Sequence, residues 1–271
     1  TTESGVPVSS SDRTSQGTLY YTPYLHDYVR LYDGTRPKLY TFTERSLSLT
    51  MTSGKNYDVF LYDNSGTLTL ELSSAWTNDT TRADALAWQA GVGWVKSGAA
   101  TRLWLGTIRA SGTNVTEDSA SKRFVWNVYN QVSRCMRCID STDSWTYTTA
   151  TWRQAHGSSA NKVEWVAGDV HEYDAHVLSI VNNSGAAGVS AGVGIDSTSA
   201  YTGLPGFTVP NSNVVLNQAK STTACARGRL AAGYHYAAWL EYSQASGTTT
   251  WYGDAGVSSY VQSGLECEVA G

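Results

Sequence analysis

The feature that most constrains the fold is a repeated pattern of short alternating runs joined by turn residues. In residues 57–72, YDVFLYDNSGTLTLEL, three leucines (68, 70 and 72) fall on one face of the second run, and threonine and glutamate fall on the other. The sequence Asp-Asn-Ser-Gly between the runs favours a tight turn, so the segment predicts a β-hairpin. Residues 27–42, DYVRLYDGTRPKLYTF, repeat the pattern around Asp33 and Gly34.

Similar runs recur along the rest of the chain. Further candidate strands are WVKSG (94–98), TRLWLGTIRAS (101–111), SWTYTTATWRQ (144–154), KVEWVAGDV (162–170), AHVLSIV (175–181) and YAAWLEY (236–242). Charged residues make up only 15% of the 271 residues, whereas Tyr (17) and Trp (10) are abundant. Aromatic residues fit a pleated, half-buried surface better than a helix. We therefore predict an all-β fold, an antiparallel β-sandwich or jelly-roll-like arrangement with at most a few short helices.

Two segments are less clear, and the domain organisation allows two alternatives. Residues 81–89 (TRADALAWQ) have the composition of a two-turn helix, while the aromatic content of residues 119–132 favours strand.

Residues 1–17 are rich in Ser, Thr and Gly, which predicts an N-terminal arm or linker. The remainder is either one large β domain or two, with an N-terminal domain over 18–132 and a C-terminal domain over 133–271.

Charge and cysteine content argue against several classes of protein. The net charge of −4 argues against nucleic-acid binding, and no apolar run approaches the roughly 20 residues needed for membrane insertion. Cys135 and Cys138 have C-x-x-C spacing, but Cys225 and Cys267 stand alone, and a structural zinc site needs a second close pair. We expect buried thiols, no metal and no cofactor. Disulfides within or between chains remain an alternative.

The segment GVSAG at 188–192 matches the nucleophile elbow of hydrolases, with Asp196 and His235 following Ser190 in the appropriate order. That motif requires a helix after the serine, and GIDSTSAYTGLPGF does not favour one. As a strand, the segment places Ala187, Val189, Ala191, Val193 and Ile195 on a core face. The opposite face carries Gly188, Ser190, Gly192 and Gly194, which we predict as a candidate interface because small residues permit close approach by another chain.

The segment HEYDAH at 171–176 contains four potential metal ligands. Between two candidate strands it is itself predicted to be extended, with His171 on one face. Glu172, Asp174 and His176 then lie on the other face, which is more typical of a solvated polar surface than of a metal site.

The segment GYHYAAWLEYSQASGTTTWYGD at 233–254 predicts a hairpin with large side chains on both faces. Its candidate aromatic surface or interface residues are Tyr234, Tyr236, Trp239, Tyr242 and Trp251. Glu241 and Asp254 could be a glycosidase pair, but carboxylates are common and core packing explains the pattern better. We expect no catalytic residue and no enzyme.

Several segments of residues 1–155 resemble proteins of tailed bacteriophages and prophages, including tail-fibre and other virion proteins. These segments are YYTPY (20–24), LYDGT (31–35), MTSGKNYDVF (51–60), AWTNDTTRADALA (75–87), WVKSGAATRLWLGTIRAS (94–111), EDSASKRFVWNVYNQV (117–132) and DSWTYTTATWRQA (143–155); GYHYAAWLEY and WYGD match more loosely.

The resemblance implies a non-enzymatic structural protein displayed on a virion that is assembled in the host cytoplasm. It would be a tail-fibre or head-fibre (capsid decoration) component and a homotrimer in contact with other virion proteins, with a role in host attachment. The many Trp and Tyr residues separately favour contact with host-surface glycans. A carbohydrate-binding module is the alternative, because aromatic rings stack on sugar faces. A polysaccharide hydrolase is less favoured.

Overall fold

The computed structural model describes residues 1–210, 219–254 and 263–270. Strands dominate these ranges, and the only helical element in them is a single 3-10 turn at Ala155–Gly157. The predicted all-β fold is confirmed. In the same ranges, no helix is long and apolar enough to span a membrane.

The N-terminal half contains thirteen strands in the described residues. They are β1 (Arg13–Gln16), β2 (Thr18–Tyr21), β3 (Tyr28–Tyr32), β4 (Pro37–Thr41), β5 (Arg45–Ser48), β6 (Asn56–Asn64), β7 (Thr67–Leu72), β8 (Leu86–Gln89), β9 (Gly93–Lys96), β10 (Ala99–Arg109), β11 (Thr116–Asp118), β12 (Lys122–Arg123) and β13 (Val125–Asn127). A central sheet has the order β7-β6-β10-β9-β8, with β13 also paired to β10, while β2–β5 and β3–β4 form two small sheets.

The two hairpins predicted in the N-terminal half are confirmed, and the geometry of their turns accounts for the residue types found there. Ser65 and Gly66 have φ of 54° and 95°, the two positive values that a tight β6–β7 turn requires. In the β3–β4 turn, the Asp33 carboxylate accepts the backbone N–H groups of Thr35 at 2.8 Å and Arg36 at 2.9 Å. Local turn chemistry therefore sets the register of both hairpins.

The helix considered for residues 81–89 is absent, and Leu86–Gln89 form β8 instead. Residues 86–89 pair antiparallel with β9, and Trp88 lies directly opposite Trp94. Sheet pairing and aromatic packing outweigh the small helix propensity of so short a segment. The strand tendency of residues 119–132 is confirmed by β12 and β13.

The C-terminal half contributes eleven further strands in the described residues. They are β14 (Ser133–Cys138), β15 (Ser144–Thr146), β16 (Arg153–Gln154), β17 (Lys162–Ala167), β18 (His171–Asn183), β19 (Val189–Ile195), β20 (Thr202–Thr208), β21 (Lys220–Leu230), β22 (Gly233–Ser243), β23 (Thr249–Tyr252) and β24 (Gly264–Ala270). With β1, β11 and β12 they form one large sheet, along which the main order is β1-β11-β12-β17-β22-β19-β20-β21-β18-β23-β15.

Two large hydrophobic clusters fill the halves, and a third joins them. One cluster packs β2, β3, β6, β7 and β10, and the other packs β17, β18, β19, β22 and β24. The joining cluster consists of Phe60, Trp104, Trp126, Val166 and Ala167. The expected boundary near residue 133 thus falls between two cores that share a packed contact.

The first 17 residues, predicted as an N-terminal arm or linker, include a short strand. Residues 13–16 form β1 and pair with β11, and the Asp12 carboxylate accepts the backbone N–H of Ala120 at 2.8 Å. Polar Ser, Thr and Gly composition did not reveal this pairing, because an edge strand needs little apolar surface of its own.

Candidate functional site

The candidate hydrolytic carboxylate Glu241 is enclosed in the core. Its side chain is fully buried and accepts hydrogen bonds from Trp145 Nε1 at 2.7 Å, Arg153 Nε at 2.7 Å and the His156 backbone N–H at 3.1 Å. Burial raises the pKa of Glu241, while the Trp145 and Arg153 contacts oppose that rise. Asp254, the other candidate, is also buried. These contacts give Glu241 a structural role in ordering the core.

The structure brings together two of the three residues of the apparent hydrolase motif. His235 Nδ1 lies 2.8 Å from Asp196 Oδ2, and His235 Nε2 lies 3.0 Å from the carbonyl oxygen of Ala231. Ser190 pairs with Tyr242 on β22, seven residues from His235 along that strand. At a rise of about 3.3 Å per residue, this places Ser190 about 23 Å from the imidazole, too far for proton transfer.

The hairpin predicted over residues 233–254 does not form, because β22 pairs with β17 and β19 whereas β23 pairs with β15 and β18. The candidate aromatic residues of these two strands divide between the core and a partly covered face. Trp239 and Trp251 are fully buried, and Trp239 Nε1 donates to Ser179 Oγ at 2.9 Å. Tyr234, Tyr236 and Tyr242 are half-buried. Large side chains therefore lie on both faces of β22, as predicted, and Trp239 and Trp251 serve core packing rather than a surface.

The candidate interface face of β19 is covered by the chain itself. Gly188, Gly192 and Gly194 are buried, and Ser190 is half-buried. A Cβ atom on Gly192 would lie 3.0 Å from the Trp152 ring, and one on Gly194 would lie 2.2 Å from the Ser197 carbonyl oxygen. The sequence suggested a face that is open to another chain, but residues of the same chain cover it. Packing within the chain therefore accounts for its small residues without a second subunit.

Strand alternation determines which of the four cysteine thiols are buried. Cys138 and Cys267 are buried, and burial raises the pKa of both thiols to about 12. Cys135 and Cys225 are exposed, so the expectation of buried thiols is wrong for these two. On β14, residues 135 and 138 face opposite sides of the sheet.

The predicted two-sided pattern of residues 171–176 is confirmed. His171 is buried, Glu172 and His176 are exposed, and Asp174 is half-buried. Among the residues that the structure describes, no group of three His, Cys, Asp or Glu side chains is arranged to hold a metal ion.

A groove of about 700 Å³ is lined by residues at one end of β14, β18, β21 and β24. Four of its five charged side chains form two ion pairs: Asp174 pairs with Arg227, and Glu172 lies 3.7 Å from Arg229, while the fifth, Glu268, accepts a hydrogen bond from Ser133. Such exposed ion pairs contribute little binding energy to a ligand because water already solvates them.

Exposed aromatic rings cluster in the N-terminal half. Trp88 and Trp94, here called the indole pair, are 66% and 40% exposed, and their ring centroids lie 5.6 Å apart in an edge-to-face arrangement. They stand on one face of the β8–β9 hairpin. A Cβ atom built on the adjacent Gly93 would lie 3.2 Å from the Tyr129 hydroxyl, on the opposite face of the hairpin.

On that opposite side lies a cavity of about 140 Å³. We call it the aromatic pocket and define it by six ring-bearing residues: Tyr21, Tyr24, His26, Tyr28, Phe42 and Tyr129. Tyr21 and Phe42 stack with centroids 4.8 Å apart and an interplanar angle of 6°. His26 stacks on Tyr28 at 4.2 Å. The pocket therefore has two stacked pairs of rings.

The loop that carries the pocket is fixed by hydrogen bonds. Thr22 Oγ1 donates to the Glu44 carboxylate at 2.6 Å, and the backbone N–H of Phe42 donates to the carbonyl of Asp27 at 2.7 Å. Hydrogen bonds from Ser4 and Thr22 lower the pKa of Glu44, which keeps this anchor ionised. The pocket is thus largely formed before any ligand arrives.

The aromatic pocket was not predicted from the sequence, because the aromatic candidates were those in alternating strands. The signal was present in YYTPYLHDY at 20–28, which places Tyr24 and His26 next to Pro23 in a connecting loop. Rings in a loop have no sheet face to pack against and are more often available to a ligand. The contribution of Tyr129, a hundred residues away, had no such signal.

The fold and these surfaces define an all-β protein with an aromatic pocket on its N-terminal half. No protein-family profile matches the sequence, and no curated protein is significantly similar to it.

Three solved structures show weak similarity. Eiger TNF from S. frugiperda is 10% identical with a TM-score of 0.35, over 52% of this chain and 92% of that one. Dimeric latent PorU from Porphyromonas gingivalis is 7% identical with a TM-score of 0.33, over 81% of this chain and 20% of that one. A Cry1Da tryptic core variant from Bacillus thuringiensis is 11% identical with a TM-score of 0.24, over 93% of this chain and 48% of that one. Similarity at this level supports no argument about function.

Proposed function

We propose that this chain is a non-enzymatic structural protein displayed on the surface of a tailed-phage virion, as a tail-fibre or head-fibre component, where it contributes to attachment to the host. The observation that carries the attachment role is the aromatic pocket, whose exposed rings stand on a loop held in place by Glu44. Placement on a virion draws on the resemblance of segments within residues 1–155 to phage proteins.

Two observations support the proposed absence of catalysis. The Glu241 carboxylate is enclosed by Trp145, Arg153 and the His156 backbone, and Ser190 lies far from His235 along the β19–β22 pair. A hydrolase needs its carboxylate or serine open to a substrate. We therefore assign structural roles to Glu241 and Ser190.

The proposal includes assembly of the chain into a homotrimer that contacts other virion proteins. Exposed apolar side chains on the C-terminal half, among them Leu204 at 74% and Phe207 at 67%, support contact with another protein surface. Light scattering of the purified chain should give a mass near that of three copies. If the chain is monomeric at high concentration, the proposed trimer is wrong.

Antibody labelling of intact particles tests virion display directly. Particles released by the organism that encodes the chain are incubated with an antibody against it and with gold-conjugated secondary antibody, then imaged by electron microscopy. We expect label at tail fibres or on the head. Particles that stay unlabelled, while the antibody detects the chain in the cell lysate, would contradict the proposal.

A further inference from the structure

We infer that the aromatic pocket binds a single neutral pyranose unit at the end of a host-surface glycan. The inference deepens the proposed attachment function and rests on it, since it names the chemical class of the receptor. It is carried by the size of the pocket, the arrangement of its rings, its polar groups and its lack of charge.

The size of the cavity fits one six-membered ring. Its volume is about 140 Å³. An apolar cavity of about 150 Å³ in another protein accepts one benzene molecule, so the aromatic pocket holds one ring of that size. The further units of a glycan would lie outside the cavity. The pocket therefore recognises a terminal unit rather than the middle of a polymer.

The rings provide faces against which a sugar can stack. Phe42 is buried and forms the floor together with Tyr21, while Tyr24, Tyr28 and Tyr129 are about half exposed and form the rim. The face of an aromatic ring carries partial negative charge and attracts the partially positive C–H groups of a pyranose. Rings at the floor and the rim can contact both faces of one sugar.

Polar groups between the rings match hydroxyl groups. Burial raises the pKa of Tyr21 to about 12, and burial together with Tyr21 raises the pKa of Tyr129 to about 12. Both phenols therefore stay neutral, and each can donate and accept one hydrogen bond. Asn127 and Asn130 also line the cavity, and Asn127 Oδ1 accepts the backbone N–H of Tyr129 at 2.8 Å, which orients its amide.

The lack of charged side chains in the pocket lining favours a neutral ligand. Within the described residues, no Lys, Arg, Asp or Glu side chain lines the aromatic pocket, and its basic groups are His26 and the α-amino group of Thr1. That amino group donates to the Tyr20 carbonyl oxygen at 2.9 Å, and burial lowers its pKa to about 6, so it is largely uncharged at neutral pH. An acidic sugar or a phosphate would lose hydration without gaining a cation, which is costly. Neutral hexoses, deoxyhexoses and N-acetylhexosamines remain as ligand classes.

The expected affinity for one free sugar is low. A pyranose with about 12 non-hydrogen atoms, at about 0.3 kcal/mol per atom, would bind with a Kd in the low millimolar range. Several copies of the chain on one particle would raise the apparent affinity about 10²- to 10⁴-fold if they engage the surface together. Weak single sites are therefore compatible with firm attachment.

Saturation-transfer NMR on the purified full chain tests the inference. The probes are glucose, galactose, mannose, rhamnose and N-acetylglucosamine, each at about 20 mM, which is about tenfold above the expected Kd. The pocket variants are Tyr28→Ala and Tyr129→Ala, with Tyr28→Phe as the conservative change. Tyr201→Ala, an exposed ring on the C-terminal half, and Trp88→Ala, in the indole pair, are the matched controls.

We expect saturation transfer to at least one sugar, a Kd raised tenfold or more by Tyr28→Ala and by Tyr129→Ala, and an unchanged Kd for both controls. Circular dichroism should show that every variant folds. Absence of transfer from all five sugars would overturn the inference, as would loss of binding in Trp88→Ala alone, which would place the sugar on the indole pair. Particle labelling is independent of these outcomes, so either proposal can fail without the other.

Discussion

Glu241 Oε2 lies 2.7 Å from the indole nitrogen of Trp145, inside the core of the C-terminal half. The N-terminal half contains the same arrangement, because Asp58 Oδ1 lies 3.0 Å from the indole nitrogen of Trp104 and Asp58 Oδ2 lies 3.0 Å from Arg82 Nε. In each half, a buried carboxylate bonded to an indole and an arginine fixes the position of a large ring. These carboxylates specify packing rather than chemistry.

Glu241→Gln should therefore destabilise the protein rather than remove an activity. The amide would place an N–H group against the Trp145 or Arg153 donors and leave Arg153 without its buried partner, at a cost of about 3 kcal/mol. Glu172→Gln, whose side chain is 78% exposed, is the control and should change stability by less than about 0.5 kcal/mol. Urea denaturation measures both variants; equal stability of Glu241→Gln and wild type would refute the structural role.

Gly194→Ala should destabilise the single chain. Its Cβ would lie 2.2 Å from the Ser197 carbonyl oxygen, and a backbone atom cannot move aside as a flexible side chain can. We expect a loss of at least about 2 kcal/mol. In Gly17→Ala the nearest atom would be 3.7 Å away, and little change is expected.

The effect of Gly194→Ala on the denaturation midpoint should be the same at every protein concentration, because the contact lies within one chain. A midpoint that shifts with concentration only in wild type would instead assign the β19 glycines to a subunit contact.

His171 should make stability depend on pH. Trp165 Nε1 donates to His171 Nε2 at 2.6 Å, and burial, with a smaller contribution from His235, lowers the pKa of His171 to about 4. An unfolded histidine titrates near about 6.5, so below that pH the unfolded state binds a proton that the folded state does not. The stabilisation is present above about pH 6.5 and is lost as pH falls towards 4, by about 3 kcal/mol.

His171→Gln keeps a hydrogen-bond acceptor for Trp165 but removes the titration. The difference in unfolding free energy between pH 7 and pH 4.5 should shrink in this variant. His176→Gln, with a side chain 59% exposed, should leave the difference as in wild type. An unchanged pH dependence in His171→Gln would show that His171 does not control acid stability.

The joining cluster should make the two halves unfold together. A Cβ atom on Gly168 would lie 2.5 Å from the Trp126 ring and 2.6 Å from the Trp104 ring, and Arg82 also donates to the Gly168 carbonyl. Gly168→Ala should therefore lower the temperature of one shared calorimetric transition. Two transitions, of which only one moves in the variant, would indicate separately folding domains.

Sequence patterns predicted the two N-terminal hairpins and the strand faces well because local physics determines them. The hairpin expected over residues 233–254 was wrong because β22 and β23 each pair with strands that are distant in sequence. The Ser65 and Gly66 turn, the buried face of β19 and the alternation of β18 all follow from side-chain period and turn chemistry within a few residues. The β8 strand was missed because its partner β9 and the opposing Trp94, rather than its own propensity, decide its conformation.

The candidate site was less predictable because it is assembled from distant segments. Sequence alternation identified Trp239 and Trp251 as aromatic candidates, but it could not tell a covered face from an open one, and both are buried. The aromatic pocket combines a loop at 20–28 with Phe42 and Tyr129, and only tertiary packing places these residues around one cavity.

The most direct test of the account is competition for phage adsorption by the purified chain. Wild-type protein and Tyr201→Ala should block adsorption of particles to host cells at similar concentrations, whereas the Tyr28→Ala, Tyr129→Ala double variant should need at least about tenfold more, as expected for loss of about 1.4 kcal/mol of binding free energy. Equal blocking by the double variant, or no blocking by saturating wild-type protein, would contradict attachment through the aromatic pocket.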